Sequence, residues 1–313
     1  MSGRDGILRI GTRGSPLALA QAHLVRERLK AVRPGQREAE VVVIRTTGDR
    51  IQDRKLDEIG GKGLFTKEIE EALVEGAIEL AVHSMKDMAT ALPPGLTIGA
   101  MLPREDPRDA WFSPHAASIA GLPKAARVGT SSLRRQAQIL AQRADLVVTT
   151  LRGNVGTRLA KLAAGEAEAT VLALAGLKRL GLADKATAIL TTEEMLPAVG
   201  QGAIGIEIRA GDTATAELLA SIDDRATSMA VAAERACLAV LDGSCRTPIS
   251  ALGEHEPGGG LRLRSLIALP DGSALKRDER RGPAASAVDL GKAAGEALRA
   301  GAGPAFAAIW SPR

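Results

Sequence analysis

Short β-branched runs alternate with stretches of helical period from Ile7 to Met101, and the same alternation starts again at Arg127. Such a pattern specifies βαβ units and a mainly parallel sheet. Ile7 to Arg13 reads as a strand, and Ser15-Pro16 supplies an N-cap and a proline at the first helical position. Leu17, Leu24, Val25 and Leu29 then recur at helical spacing to about Val32. Val41 to Thr46 is a second strand, Phe65 to Val74 a helix closed by Gly76, and Ile78 to His83 a third strand running into Ser84-Met85-Lys86-Asp87. The second series is strand Arg127 to Gly129, helix Leu133 to Gln142, strand Leu146 to Thr150, helix Val155 to Ala163 and strand Thr170 to Leu174. Arg13, Lys86 and Asp87 thus fall at strand carboxyl ends, where open α/β sheets bind their ligands.

The proline-rich stretch Leu102 to Pro107 marks a crossing between the two series, and the glycine-rich run Val199 to Ile206 reads as a turn and strand returning to the first. The expected fold class is α/β, two βα domains around a cleft, followed by a small α+β domain with an antiparallel sheet. Residues 1–101 with 201–219 form the first domain, 102–200 the second and 223–313 the third. In the third, helix Met229 to Leu241 precedes strands near Thr247 to Gly253 and Leu261 to Leu269. Asp271-Gly272 is a hairpin signal and Ser286 to Ala300 a closing amphipathic helix. Residues 47–63 are polar, hold four glycines and have no apolar period, which suggests a mobile lid.

Several function classes are disfavoured at once. No apolar run reaches the length of a membrane span, and Met1 to Gly6 leads into Ile7-Leu8 without the core of a signal peptide. The expected compartment is the cytosol, and with no large apolar stripe a monomer is the default. A net charge of +4, 2% aromatic residues and no tyrosine argue against a nucleic-acid binder, which needs stacking platforms as well as a basic groove. The favoured partner is a small polyanion.

Two arginine-bearing turns support that partner. Thr130-Ser131-Ser132-Leu133-Arg134-Arg135 ends a strand and opens a helix, so hydroxyls, free backbone N–H groups and two guanidinium groups converge there. The plain alternative is a serine cap with two surface arginines. Arg152-Gly153-Asn154-Val155-Gly156-Thr157-Arg158 repeats the arrangement one βα unit later. Arginine forks pair bidentately with carboxylates, so carboxylates suit the array better than one phosphate. Gly60-Gly61-Lys62-Gly63 is no Walker loop, because Gly63 stands where Ser or Thr is needed. Lys62 is either a charge carried by the lid or an ordinary solvated lysine. Of the two cysteines, Cys237 lies within a helical apolar stripe and reads as structural, whereas Cys245 sits in the turn Asp242-Gly243-Ser244-Cys245-Arg246 and reads as a thiol held out for chemistry. The four histidines, His23, His83, His115 and His255, have no metal spacing, which leaves acid–base work to a carboxylate.

Taken in order, Gly11-Thr12-Arg13-Gly14-Ser15-Pro16-Leu17, Gly60-Gly61-Lys62-Gly63-Leu64-Phe65, His83-Ser84-Met85-Lys86-Asp87, Arg104-Glu105-Asp106-Pro107-Arg108-Asp109, Gly129 to Arg135, Leu151 to Arg158 and Leu196 to Gly202 resemble the porphobilinogen deaminase (hydroxymethylbilane synthase) family nearly end to end. The resemblance implies two periplasmic-binding-protein-like domains and a third α+β domain. It implies a transferase that joins four porphobilinogen units head to tail with loss of ammonia, then frees linear hydroxymethylbilane by water, for tetrapyrrole and haem synthesis. Its dipyrromethane cofactor would be bound by a thioether to Cys245, and the product passed to uroporphyrinogen III synthase. By motif, Asp87 is catalytic. Lys86, Asp87, Thr130, Ser131, Ser132, Arg134, Arg135, Arg152, Arg158, Arg179 and Gly202 match cofactor positions. Arg13, Ser15, Gln21 and Lys62, with Arg152, Arg158 and Arg179, match substrate positions. Loss of ammonia leaves an azafulvenium cation that a fixed carboxylate stabilises; whether Asp87 or a neighbouring water moves the protons stays open. A passive solute-binding protein is the competing reading, and it would need neither Cys245 nor Asp87.

Overall fold

The computed structural model describes residues 7–32, 38–47, 66–241 and 248–310. The chain forms two compact units, Met1–Glu105 with Ala203–Ser228, and Asp106–Gly202 with Met229–Arg313. In the first, β1 (Leu8–Thr12), α1 (Pro16–Val32), β2 (Ala39–Val43), α2 (Lys67–Val74), β3 (Leu80–Ser84) and β4 (Leu96–Met101) are joined by the returning β10 (Ile204–Arg209). The strand order is β2-β1-β3-β10-β4, with β1 parallel to both neighbours and β10 antiparallel to β3 and β4. Helix α1 buries Gln21, Ala22, Val25 and Leu29, one stripe at helical spacing, and each large apolar side chain so buried contributes roughly 1.5–3 kcal/mol. Ser15 caps it, its Oγ accepting the Ala18 N–H at 3.3 Å. The second strand ends at Val43 rather than at Thr46, because this edge strand has only β1 to pair with and the ladder stops at Thr12↔Val43.

The second unit repeats the plan. β5 (Asp109–Phe112), β6 (Arg127–Gly129), β7 (Val147–Thr149), β8 (Ala169–Ala173) and β9 (Ala188–Ile189) are ordered β7-β6-β8-β5-β9, and β5 is the antiparallel member. Helix α3 (Leu133–Gln142) is capped by Ser132, α4 (Val155–Ala163) by Asn154, and α5 (Leu174–Arg179) follows β8 directly. In the first unit the chain adds α6 (Thr213–Ala220) after β10, and α7 (Arg225–Val240) leads out of it. β11 (Ile249–Glu256), β12 (Gly260–Ala268) and β13 (Leu275–Pro283) then make an antiparallel sheet, followed by α8 (Ala287–Gly301) and α9 (Gly303–Trp310). The class is the mixed α/β expected, with a small antiparallel third sheet.

That sheet belongs to the second unit by packing. Leu252, Leu266 and Ala268 share a cluster with Ala137 of α3 and Leu196. The β12–β13 turn comes so close to α3 that a Cβ on Gly272, whose φ is +73°, would overlap the Ala141 nitrogen. Glu234 of α7, wholly buried, accepts the Gly200 N–H at 2.6 Å and the Gly253 N–H at 2.9 Å, fixing the turn before β10 to β11. Strand β13 follows the Asp271-Gly272 hairpin signal although its own residues did not read as a strand, and helix α9 was not foreseen. Lys276 to Arg281 is an unbroken run of charge with no alternation to betray a strand, yet charge suits a sheet edge, where it blocks pairing with another chain. Among the described residues no helix is long and apolar enough to cross a membrane.

Candidate functional site

In the first unit β1 and β3 are adjacent and parallel, Ile10 opposite Leu80, so their carboxyl ends open on one side of the sheet. After β1 comes Arg13 and the α1 cap Ser15; after β3, the short 3-10 turn Met85–Asp87 carries Lys86 and Asp87. The turn is anchored by the Met85 N–H donating to the Ala203 carbonyl at 3.1 Å, and Met85 is 1% exposed, whereas Asp87 is exposed. Arg13, Ser15, Gln21, Thr66, His83, Ser84 and Asp87 line one small cavity of ≈ 60 Å³. Gln21 is buried and its amide is engaged with Ser84, giving a hydrogen bond to Ser84 Oγ at 2.8 Å and receiving one at 3.1 Å. Lys62 and nearly all of the expected lid lie outside the described residues.

In the second unit β6 lies between β7 and β8, so the turns after all three converge on one edge. Thr130 Oγ1 accepts the Ser132 N–H at 3.2 Å, Ser131 Oγ donates to the Leu151 carbonyl at 3.1 Å, and Ser132 caps α3. Arg158 Nε donates to the Gly153 carbonyl at 2.8 Å, and Arg179 Nη2 to the Gly202 carbonyl at 2.6 Å. Arg152 is half-buried, with Nη1 enclosed and without an acceptor among the described residues.

Arg134 and Arg135 depart from the expected open array of two guanidinium groups. Both are 5% exposed and both turn inward onto Asp109, whose side chain is fully buried: Arg134 Nη2 to Oδ2 is 2.7 Å and Arg135 Nη2 to Oδ1 is 2.8 Å. Arg134 Nη1 also donates to the Leu196 carbonyl at 2.8 Å, and Gln201 Nε2 donates to Asp109 Oδ1 at 2.9 Å. Burial alone would raise the Asp109 carboxyl, but the two guanidinium groups outweigh it and hold the group well below the ordinary carboxylate range. The reason for the departure is electrostatic: two adjacent buried cations require a counter-charge, and Asp109 opens β5 next to β8, within their reach. Nε of each arginine is buried without an acceptor among the described residues.

Cys237 is fully buried in the core of the third sheet, and desolvation pushes its thiol up to about 12, the setting of an inert cysteine. Cys245 lies outside the described residues. Two groups of consequence were not singled out from sequence. Asp109 heads a strand 25 and 26 residues from its partners; a lone acid before Ala110-Trp111-Phe112 was the available signal. The other is a buried pair, His83 Nε2 and Glu207 Oε2, 3.0 Å apart. Glu207 stands between Ile206 and Ile208, and a charge inside so apolar a strand was its only trace.

Each α/β sheet gathers arginines and hydroxyls at the ends of its parallel strands, and the first adds the exposed carboxylate of Asp87, an arrangement of the class suited to small polyanionic ligands. A family model described as "Porphobilinogen deaminase, dipyromethane cofactor binding domain" matches residues 8–217, and "Porphobilinogen deaminase, C-terminal domain" matches residues 228–300. The porphobilinogen deaminase of Paracoccus denitrificans is 56% identical over 305 residues, 97% of this chain and 97% of its own. The chloroplastic porphobilinogen deaminase of Oryza sativa is 53% identical over 305 residues, 96% of this chain and 85% of its own. The chain therefore belongs to the porphobilinogen deaminase family. Among solved structures, the alkanesulfonate-binding protein of Xanthomonas axonopodis pv. citri aligns over 76% of this chain and 75% of its own, at 18% identity and a TM-score of 0.39, a likeness too low to carry weight.

The residues of the second unit fit an acidic two-ring cofactor. Arg152 Nη1 is an enclosed donor with no acceptor among the described residues, as are the Nε groups of Arg134 and Arg135, and a buried donor is stable only when a partner reaches it. Carboxylates on a dipyrromethane are acceptors of the right kind.

Proposed function

We propose that this chain is a hydroxymethylbilane synthase, which condenses four porphobilinogen units head to tail with loss of ammonia and releases the linear tetrapyrrole by water. The observation that carries the reading is the company Asp87 keeps: an exposed carboxylate at the end of β3 lines one cavity with Arg13 and Ser15. A substrate bearing two carboxylates and a carbon that becomes cationic needs those opposite charges side by side. When bound through a thioether to Cys245, dipyrromethane supplies the primer on which the units are added.

Asp87 faces the positive charge that develops on the incoming unit and the pyrrole N–H groups beside it. Arg13, Ser15 at the α1 N-terminus and Gln21, held by Ser84, orient that unit through its carboxylates, with Lys62 added from the 47–63 segment. Lys86, Thr130, Ser131, Ser132, Arg152, Arg158, Arg179 and Gly202 hold the acidic side chains of the primer and growing chain. Arg134 and Arg135 act there through Nε while Asp109 holds them in place. The enzyme works as a cytosolic monomer and passes its product to uroporphyrinogen III synthase.

With purified protein and porphobilinogen, four ammonia molecules are expected for each hydroxymethylbilane formed. Tight retention of porphobilinogen without ammonia release would restore the solute-binding reading. Arg13→Leu removes a charge-assisted contact of roughly 1.5–3 kcal/mol, so kcat/KM is expected to fall about ten- to hundredfold, with short covalent adducts accumulating. Parent-like kinetics in Arg13→Leu would remove Arg13 from the site.

A further inference from the structure

A buried titratable cluster lies behind the Asp87 cavity. In the β3–β10 ladder His83 stands opposite Gly205, and Glu207 is two residues further along β10, on the same face of the sheet. A Cβ on Gly205 would overlap the Met85 sulfur, so the absence of a side chain there lets Met85 seat the Asp87 turn and leaves His83 to lean diagonally toward Glu207. His83 Nε2 is 3.0 Å from Glu207 Oε2, with side chains 5% and 0% exposed. The second oxygen of Glu207 is enclosed and has no hydrogen-bond partner among the described residues.

A fully buried carboxylate in that setting is not stable as a lone anion. His83 is the partner that the buried carboxylate has, and a proton can pass between imidazole and carboxylate across the 3.0 Å contact. From α2, Glu70 is coupled to both members: burial raises its carboxyl, Glu207 adds to the rise, and Thr66 and His83 oppose it. Among the described residues, Glu207 from β10 pairs with His83, Glu70 from α2 interacts with both, and Asp87 and Arg13 line the same cavity as His83. His83 and Asp87 line the same ≈ 60 Å³ cavity together with Gln21, Thr66 and Ser84. The cavity is polar and large enough to hold water, and His83 and Asp87 both line it.

We propose that the His83–Glu207 pair is the proton store of this site, lending one proton and regaining it at each addition. The inference rests on the proposed condensation. In each addition the C–N bond of the incoming aminomethyl group breaks, its electron pair leaves with nitrogen, and the proton lent through cavity water and Asp87 completes ammonia. The π electrons of the terminal ring form the new C–C bond. The α C–H bond of that ring then breaks, its electrons restore the aromatic ring, and its proton returns by the same route. The balance closes on one ammonia and no net proton. His83 and Glu207 act through Asp87 and water and do not touch substrate, so they are positioning residues.

The test is steady-state kinetics of the holoenzyme with porphobilinogen across pH, for the parent and Glu207→Gln, with thermal melts to check folding. Glutamine keeps the shape and an acceptor for His83 but cannot share the proton, and an imidazole without its carboxylate holds a proton less tightly. The expected result is a kcat lower by about tenfold or more, KM within about twofold, and the alkaline limb of kcat moved to lower pH. Glu70→Gln, at a half-buried position, moves the limb the same way by less and decides the matter should Glu207→Gln not fold. A folded Glu207→Gln with parent kcat and an unmoved limb, or an unmoved limb in Glu70→Gln where the first variant fails, overturns the store while leaving the synthase reading intact. A parent that releases no ammonia overturns that reading and the inference with it.

Discussion

Asp87→Ala is expected to lose turnover by about a thousandfold or more while its melting transition stays that of the parent. Removing one preorganised electrostatic group from a reacting centre typically costs a factor of roughly 10²–10³, and here the group is a full charge facing a developing cation. The fold is spared because Asp87 is exposed, and the 3-10 turn is held by Met85 and the Ala203 carbonyl rather than by the carboxylate. Asp87→Asn is expected to fail nearly as badly, since it keeps the shape and loses the charge. Asp87→Glu keeps the charge but misplaces it and should fall between, because a displacement of about 1 Å from reactive geometry can itself cost about a hundredfold. A fully active Asp87→Ala enzyme would remove Asp87 from the chemistry.

Asp109→Ala acts in the opposite sense, on stability first. It strips the counter-charge from two buried arginines, and breaking a buried pair in this way costs about 3–5 kcal/mol, a third or more of the total for many domains. The measurement is the urea midpoint of unfolding. The variant is expected to unfold at markedly lower urea and to hold little cofactor; an unchanged midpoint would show that Arg134 and Arg135 do not depend on Asp109. The pH dependence has a definite sign. Because the folded carboxyl is held below its ordinary value of about 3.9, its contribution is fully present above that value and disappears only as pH falls toward the depressed one. Asp109→Asn should therefore remove stability at neutral pH and narrow its distance from the parent in strong acid.

Local signals were legible in the sequence, and long-range pairings were not. Ser15-Pro16 and Ser132 marked two helix starts because capping acts within three residues. The strand ends carrying Arg13 and Asp87 followed from the βα alternation. The residues of β13 did not read as a strand because they alternate in burial but not in polarity, charge being tolerated at a sheet edge. The Asp109 triad and the His83–Glu207 pair were hidden for a different reason: partners 25 to 124 residues apart leave no local pattern. Arg134 and Arg135, which read as anion ligands, are also the buried partners of Asp109, a pairing that depends on where a single aspartate lands in the folded sheet.

If Cys245 anchors the two-ring primer on which this chain assembles its tetrapyrrole, the intact mass of the denatured protein shows it most directly. The comparison is the parent before and after porphobilinogen, beside Cys245→Ser. A thioether survives denaturation. The parent is expected to carry a two-pyrrole adduct, or to gain one, and to add further units with substrate, while Cys245→Ser stays at the bare polypeptide mass. A parent that stays at that mass under both conditions would contradict the claim.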